Sequence, residues 1–206
     1  MVGLGRFCLK LLLSFLFAAA LWAEPRILII GDSISIGYTP FVTKMLEGKA
    51  TVEHNASNGG PTNNGVAHIS EWLKDGNWDV IHFNFGLHDL KIMENEKHQV
   101  SIEDYETNLN TIIAAMKKTR AKLVFATTTP VPEGKQNPVR LTADVLRFNA
   151  VALRVMAEQK IEVNDLYAVA MKRIKEIQRP NNVHFTDPGY EELAKPVVES
   201  IWKQLR

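Results

Sequence analysis

Three short stretches of this chain carry side chains able to attack or polarise a carbonyl group. In Gly31-Asp32-Ser33-Ile34-Ser35, an apolar run ends and a helical pattern begins. The Ser33 hydroxyl is therefore expected at a strand-to-helix turn, where helix N–H groups receive negative charge. A serine hydroxyl is a weak nucleophile until an adjacent base takes its proton. Six histidines compete for that task. His54, His68, His82 and His98 sit in no motif and read as surface or satisfied core residues. His184 lies in the loop Asn181-Asn182-Val183-His184-Phe185-Thr186-Asp187-Pro188-Gly189-Tyr190 and is the candidate base. His88 stands in Gly86-Leu87-His88-Asp89. Although His88 and Asp89 can ligate a metal, no His-x-x-x-His or Glu-x-x-His pair supplies further donors, so no metal site is expected. On residue type alone, Ser33 or Asp32 reads equally well as a plain helix cap.

These residues need a scaffold, and the hydrophobic pattern supplies one. Arg26 to Ile30 is a continuous apolar run, as in a central parallel strand covered on both faces. Further strands are expected over 50–54, 79–85, 123–126 and 161–163. Helical spacing covers 37–48, 65–74, 102–118, 141–159 and 164–177. Asp187-Pro188 is the expected cap and first turn of a final helix running to about Lys203. Between the second strand and second helix lies an Asn- and Gly-rich stretch, Asn55 to Gly65, expected to be an ordered loop. The alternation predicts one α/β domain, a single doubly wound, mostly parallel five-stranded sheet with helices on both faces. Functional groups in such sheets gather at the carboxyl ends of the strands, where all three stretches fall.

With 206 residues the chain is long enough for one well-filled domain and too short for two ordinary ones. Its formal net charge of +1 gives no field that would attract nucleic acid, and none is expected as partner. No G-x-G-x-x-G turn and no Gly-Lys-Ser/Thr is present, so no nucleotide or other cofactor is expected. Arg6 and Lys10 precede the apolar run Leu11 to Trp22, which matches a secretory leader and falls short of the ~20 residues that span a bilayer. Cleavage is expected after Ala23, or after Ala20. Residues 1–23 are thus assigned as signal peptide and 24–206 as the domain, with secretion or periplasmic export and no stable membrane insertion afterwards. The only cysteine, Cys8, lies in the leader, leaving a mature chain that is stabilised by packing alone.

The motifs resemble those of the SGNH (GDSL-type) hydrolase family, a flavodoxin-like fold. GDSIS is similar to the family's first block, whose serine is the nucleophile. The Asn/Gly loop resembles the second block, whose glycine N–H joins the oxyanion hole; Gly60 is the best match and Gly59 the alternative. Gly86-Leu87-His88-Asp89 resembles the third block, with His88 where an oxyanion-hole asparagine is usual. Val183-His184-Phe185 resembles the fifth block, with Asn181 in place of the aspartate three residues before the histidine. The resemblance implies a serine esterase acting through an acyl-enzyme. Ser33, His184 and Asn181 would form the catalytic set, and Ser33, Gly60 and His88 the oxyanion hole. A neutral imidazole still offers one N–H donor, and an Asn oxygen can still orient a histidine ring. The expected substrate is a small-molecule or carbohydrate ester, first an O-acetylated carbohydrate. A lipid esterase, lysophospholipase or thioesterase, and a carbohydrate-binding module on an inactive scaffold, are the alternatives. Oligomeric state is not legible.

Overall fold

A computed structural model of the chain describes residues 23–74, 76–133 and 136–206. Apart from Ala23, the expected leader lies outside the described residues. Five strands, β1 (Arg26–Ile30), β2 (Thr51–His54), β3 (Val80–Phe83), β4 (Lys122–Ala126) and β5 (Glu162–Asn164), form one sheet. All pairs are parallel and the order is β2-β1-β3-β4-β5. Ile27 to Ile30, Val80 to Phe83 and Leu123 to Ala126 are buried on both faces, which is why they read as apolar runs, broken only by the buried His82.

The helices are α1 (Ser33–Met45), α2 (Thr62–Leu73), α3 (Ile102–Lys117), α4 (Thr142–Gln159), α5 (Leu166–Met171), α6 (Ile174–Ile177) and α7 (Asp187–Leu205). One layer joins α1 to α7, and the other joins α2 to α3 and α3 to α4. The first layer packs closely: a Cβ on Gly37 of α1 would fall 2.2 Å from the Tyr190 ring of α7. That contact fixes the helix bearing Ser33 against the helix that follows His184.

Several helix boundaries differ from the expectation. α1 starts at Ser33, four residues early, because the Asp32 carboxylate caps it through the Ile34 N–H at 2.9 Å. α2 starts at Thr62, inside the Asn/Gly stretch. Its first N–H finds an acceptor in the distant Asp89 carboxylate, at 2.8 Å, rather than in a local cap. The single helix expected over 164–177 is two short ones, α5 and α6. For α7 the cap is Thr186, whose hydroxyl accepts from the Gly189 N–H, so Asp187 is the first helical residue.

In the order β2-β1-β3 the chain leaves β1 to one side and returns on the other. This reversal opens a crevice beyond the carboxyl ends of β1 and β3. Ser33 follows β1 there, and His88 follows β3.

Candidate active site

The turn Gly31-Asp32-Ser33 is held from the β2–α2 loop. Asn55 Oδ1 accepts from the Gly31 N–H at 2.9 Å, and the Gly59 N–H donates to the Gly31 carbonyl at 2.8 Å. A side chain at Gly59 would collide with that carbonyl at 2.6 Å, so the loop can rest on the turn only with glycine there. Ser33 is the first residue of α1, so its own N–H has no acceptor within the helix and faces outward with the helix dipole behind it.

The candidate base, His184, arrives on a loop closed by the antiparallel bridge between Gln178 and Phe185. Within it the Arg179 N–H donates to the His184 carbonyl at 2.9 Å. His184 Nε2 lies 2.8 Å from Ser33 Oγ, and its Nδ1 lies 2.7 Å from Asn182 Oδ1. The amide oxygen can only accept, so Nδ1 carries the ring proton and Nε2 presents a lone pair to the serine hydroxyl. That tautomer is the one a general base needs. Partial burial, then the charges of Arg179 and Arg140, hold the His184 pKa below the usual imidazole value. The ring is therefore neutral, and able to accept, at neutral pH.

The orienting residue is Asn182, and the expectation for Asn181 is corrected. Asn182 Oδ1 also accepts from the His184 backbone N–H at 3.0 Å, an Asx turn spanning two residues. The same oxygen thereby meets the ring. Asn181 occupies the left-handed region, φ +54°, and its side chain makes no hydrogen bond to His184. The sequence signal was present as Asn-x-His, a turn motif in its own right.

His88 stands on the Asp32 side of the crevice, its Nε2 4.0 Å from Asp32 Oδ2. The Lys91 ammonium donates to His88 Nδ1 at 2.9 Å. An ammonium has no acceptor, so Nδ1 must be the lone-pair nitrogen and Nε2 the N–H donor. Burial, then the neighbouring charges of Lys91, Arg140 and His184, push the His88 pKa down to about 4. The ring is neutral and a fixed donor across the physiological range. Gly60, in a left-handed conformation at φ +63°, donates its N–H to the exposed Asn58 side chain at 2.9 Å. Because the Gly59 N–H is taken by the Gly31 carbonyl, Gly60 is the glycine of the pair whose N–H a ligand oxygen can claim, by displacing Asn58.

Residue type alone did not single out Arg140, nor the structural role of Asp89, in the charged frame behind these groups. Arg140, nearly buried, donates from Nε to the Leu87 carbonyl at 2.9 Å and sits in the field of Asp32. Asp89 is fully buried; its Oδ1 accepts from the Thr62 N–H and, at 2.5 Å, the Thr62 hydroxyl, tying the His88 loop to α2. The other histidines have structural partners: His54 with Ser35, His98 with Asp144, His68 stacked on Trp72, and His82 buried beside Asn164. Among the described residues no group of three His, Cys, Asp or Glu side chains is placed to hold a metal.

The model of the GDSL-like lipase/acylhydrolase family matches residues 29–192, from β1 through the start of α7. The chain belongs to this family. Among solved structures, this GDSL-family chain is similar to a lipase/acylhydrolase from Enterococcus faecalis, at 20% identity and a TM-score of 0.76 over 88% of this chain and 97% of that one. It is also similar to an acetyl xylan esterase at 16% identity, TM-score 0.73, over 85% of this chain and 99% of the other. An acetylxylan esterase from Geobacillus stearothermophilus follows at 19% identity, TM-score 0.71, covering 86% and 94%. At these identities the likeness is one of fold. No curated protein sequence matches the GDSL-family chain at a significant level.

Proposed function

We propose that this protein hydrolyses carboxylic esters through an acyl-enzyme on Ser33, and that its substrates are acetylated carbohydrates. The observation that carries the proposal is the relay of Ser33 Oγ, His184 Nε2 and Nδ1, and Asn182 Oδ1, at 2.8 and 2.7 Å. Ser33 attacks the ester carbonyl as His184 takes the hydroxyl proton. The developing oxyanion is met by the Ser33 N–H, the Gly60 N–H and His88 Nε2–H, and each such donor is worth about 3 kcal/mol in the transition state. His184 then gives its proton to the departing alcohol. Water, activated by the same ring, attacks the acyl-serine and releases the acid.

The preference for acetyl on sugar is supported by the acetylxylan esterases among proteins of the same fold. Turnover of 4-nitrophenyl acetate against butyrate and octanoate, with Ser33→Ala as blank, tests the ester chemistry and the acetyl preference. The acetate should be turned over fastest and Ser33→Ala should be silent. Preference for octanoate would favour a lipid esterase instead, and no turnover of any ester would favour a binding module. We further propose export with removal of residues 1–23. Amino-terminal sequencing of the exported protein should begin at Glu24, or at Leu21 if cleavage follows Ala20, and an intact Met1 in a membrane fraction would overturn it.

A further inference from the structure

His184 protonates the leaving alcohol, so that half of the ester must depart on the His184 side of the crevice, away from His88 and Gly60. On that side a hollow of about 210 Å³ is lined by Arg140, Asn182 and His184. It adjoins a larger groove of about 610 Å³. Asn181 lines both and stands at their junction. The groove has an apolar lining that includes Pro130, Tyr167 and Met171, and two cations at its rim, Lys175 and Arg179. Among the described residues neither cation has an ion-pair or hydrogen-bond partner for its charged group. Glu133, the one carboxylate among the lining residues, pairs with neither. Arg179 lies across the loop from the base, bonded backbone to backbone with His184.

A groove with an apolar floor and unpaired cations suits a sugar ring that bears a negative charge. The ring's C–H face meets the floor and its charge meets the guanidinium, which takes a carboxylate in a two-pronged grip. We propose that this groove binds the alcohol half of the ester, and that Arg179 and Lys175 select an alcohol carrying a carboxylate, as in a uronic acid unit of an acetylated polysaccharide. The inference rests on the ester-hydrolase reading for its chemistry, and on the groove's lining and place for its ligand.

The test compares methyl glucuronide with methyl glucoside, each acetylated at the same ring hydroxyl, two substrates that differ only in a carboxylate in place of the C6 hydroxymethyl group. The readout is the ratio of their kcat/KM values, in which any effect common to both cancels. Exposed ion pairs are individually weak, so the wild-type protein should favour the glucuronide by about three- to tenfold. Arg179→Gln and Lys175→Gln should each lower the ratio, and the double variant should bring it close to one. Lys118→Gln, a loss of charge at the far end of α3, should leave the ratio as in wild type. A wild-type ratio near one, or a preference that survives in the double variant, overturns the proposal. Binding of unacetylated methyl glucuronide to Ser33→Ala protein, followed by ligand-observed NMR, separates the two readings. Selective binding weakened by Arg179→Gln, with no turnover of either ester, would sink the hydrolase reading and leave the groove standing. Turnover without selectivity would do the reverse.

Discussion

Replacing Asn182 with Asp is the most informative perturbation of the relay. Asparagine and aspartate have the same shape, so the oxygen 2.7 Å from His184 Nδ1 stays in place while gaining charge. A carboxylate at that contact puts its charge about 4 Å from the centre of an imidazolium. At an effective dielectric near 20 this is worth about 4 kcal/mol, or about 3 pKa units. His184 is only partly buried, and solvent screening brings the expected rise to about 1–2 units. The sign is definite, because a negative neighbour favours the charged ring. In kcat/KM profiles for 4-nitrophenyl acetate between pH 5 and 10, the acid limb of Asn182→Asp should therefore move up by that amount. The variant should be slower than wild type below the new limb. On the alkaline plateau it should be several-fold faster, where the carboxylate supports the imidazolium of the transition state. Asn182→Ala removes both the ring contact and the 3.0 Å bond to the His184 N–H, and should lose tenfold or more in kcat. Asn181→Ala should keep the wild-type profile and instead cost ~1–2 kcal/mol of stability, because alanine is strained at φ +54°. Superimposable profiles for Asn182→Asp and wild type, or a loss confined to Asn181→Ala, would refute the assignment.

Ser33→Ala and His184→Ala should each abolish esterase turnover, and the double variant should be no worse, since nucleophile and base act as a unit; additive losses would break the relay model. His88→Ala should lower kcat about 10²–10³-fold by removing one oxyanion donor, whereas His88→Asn, which keeps an N–H donor, should retain most activity; equal losses would mean that His88 is not a donor to the reaction. Asp89 is raised to about 6 from 3.8, by burial first and then by repulsion from Asp32. A carboxyl raised in the fold stabilises it fully below the unfolded value and loses that stabilisation as pH climbs through the folded one. Asp89→Asn should accordingly remove up to ~3 kcal/mol of stability change between pH 4 and pH 7, seen as the difference of urea midpoints; parallel curves for variant and wild type would refute it.

Much of the molecule is legible in the order of residue types. The apolar run Ile27 to Ile30, ending at Gly31, is readable as a central strand because burial on both faces leaves no alternation to be confused by. Ser33 and His184 stand out as candidates because each lies in a motif at the edge of a periodic segment, Ser33 at the start of α1 and His184 in the loop before α7. What escaped was set by contacts across the chain. The start of α2 depends on a carboxylate 27 residues later, Asp89, so no local pattern announces it. Arg140 meets the crevice through the Leu87 carbonyl 53 residues away, and in sequence it is one charge among many. Asn181 and Asn182 are separated by a finer matter. Three-residue spacing favoured the first, but the left-handed turn at Asn181 carries its side chain off and hands the ring to the next residue.

The proposed nucleophile and its proposed base are 151 residues apart along the chain. At a synthesis rate of roughly 5–20 residues per second, Ser33 exists for about 8 to 30 s before His184 has been made. It remains inert until Gln178 and Phe185 pair and α7 docks on α1, because a serine without its base is no better than any other. A nascent chain, a chain held unfolded for passage through a membrane, or a chain whose α7 has come loose therefore carries a serine that cannot attack esters in its surroundings. On the proposed mechanism, reactivity switches on only once the whole sheet has closed, so the rate of ester cleavage also counts the fraction of molecules that are completely folded.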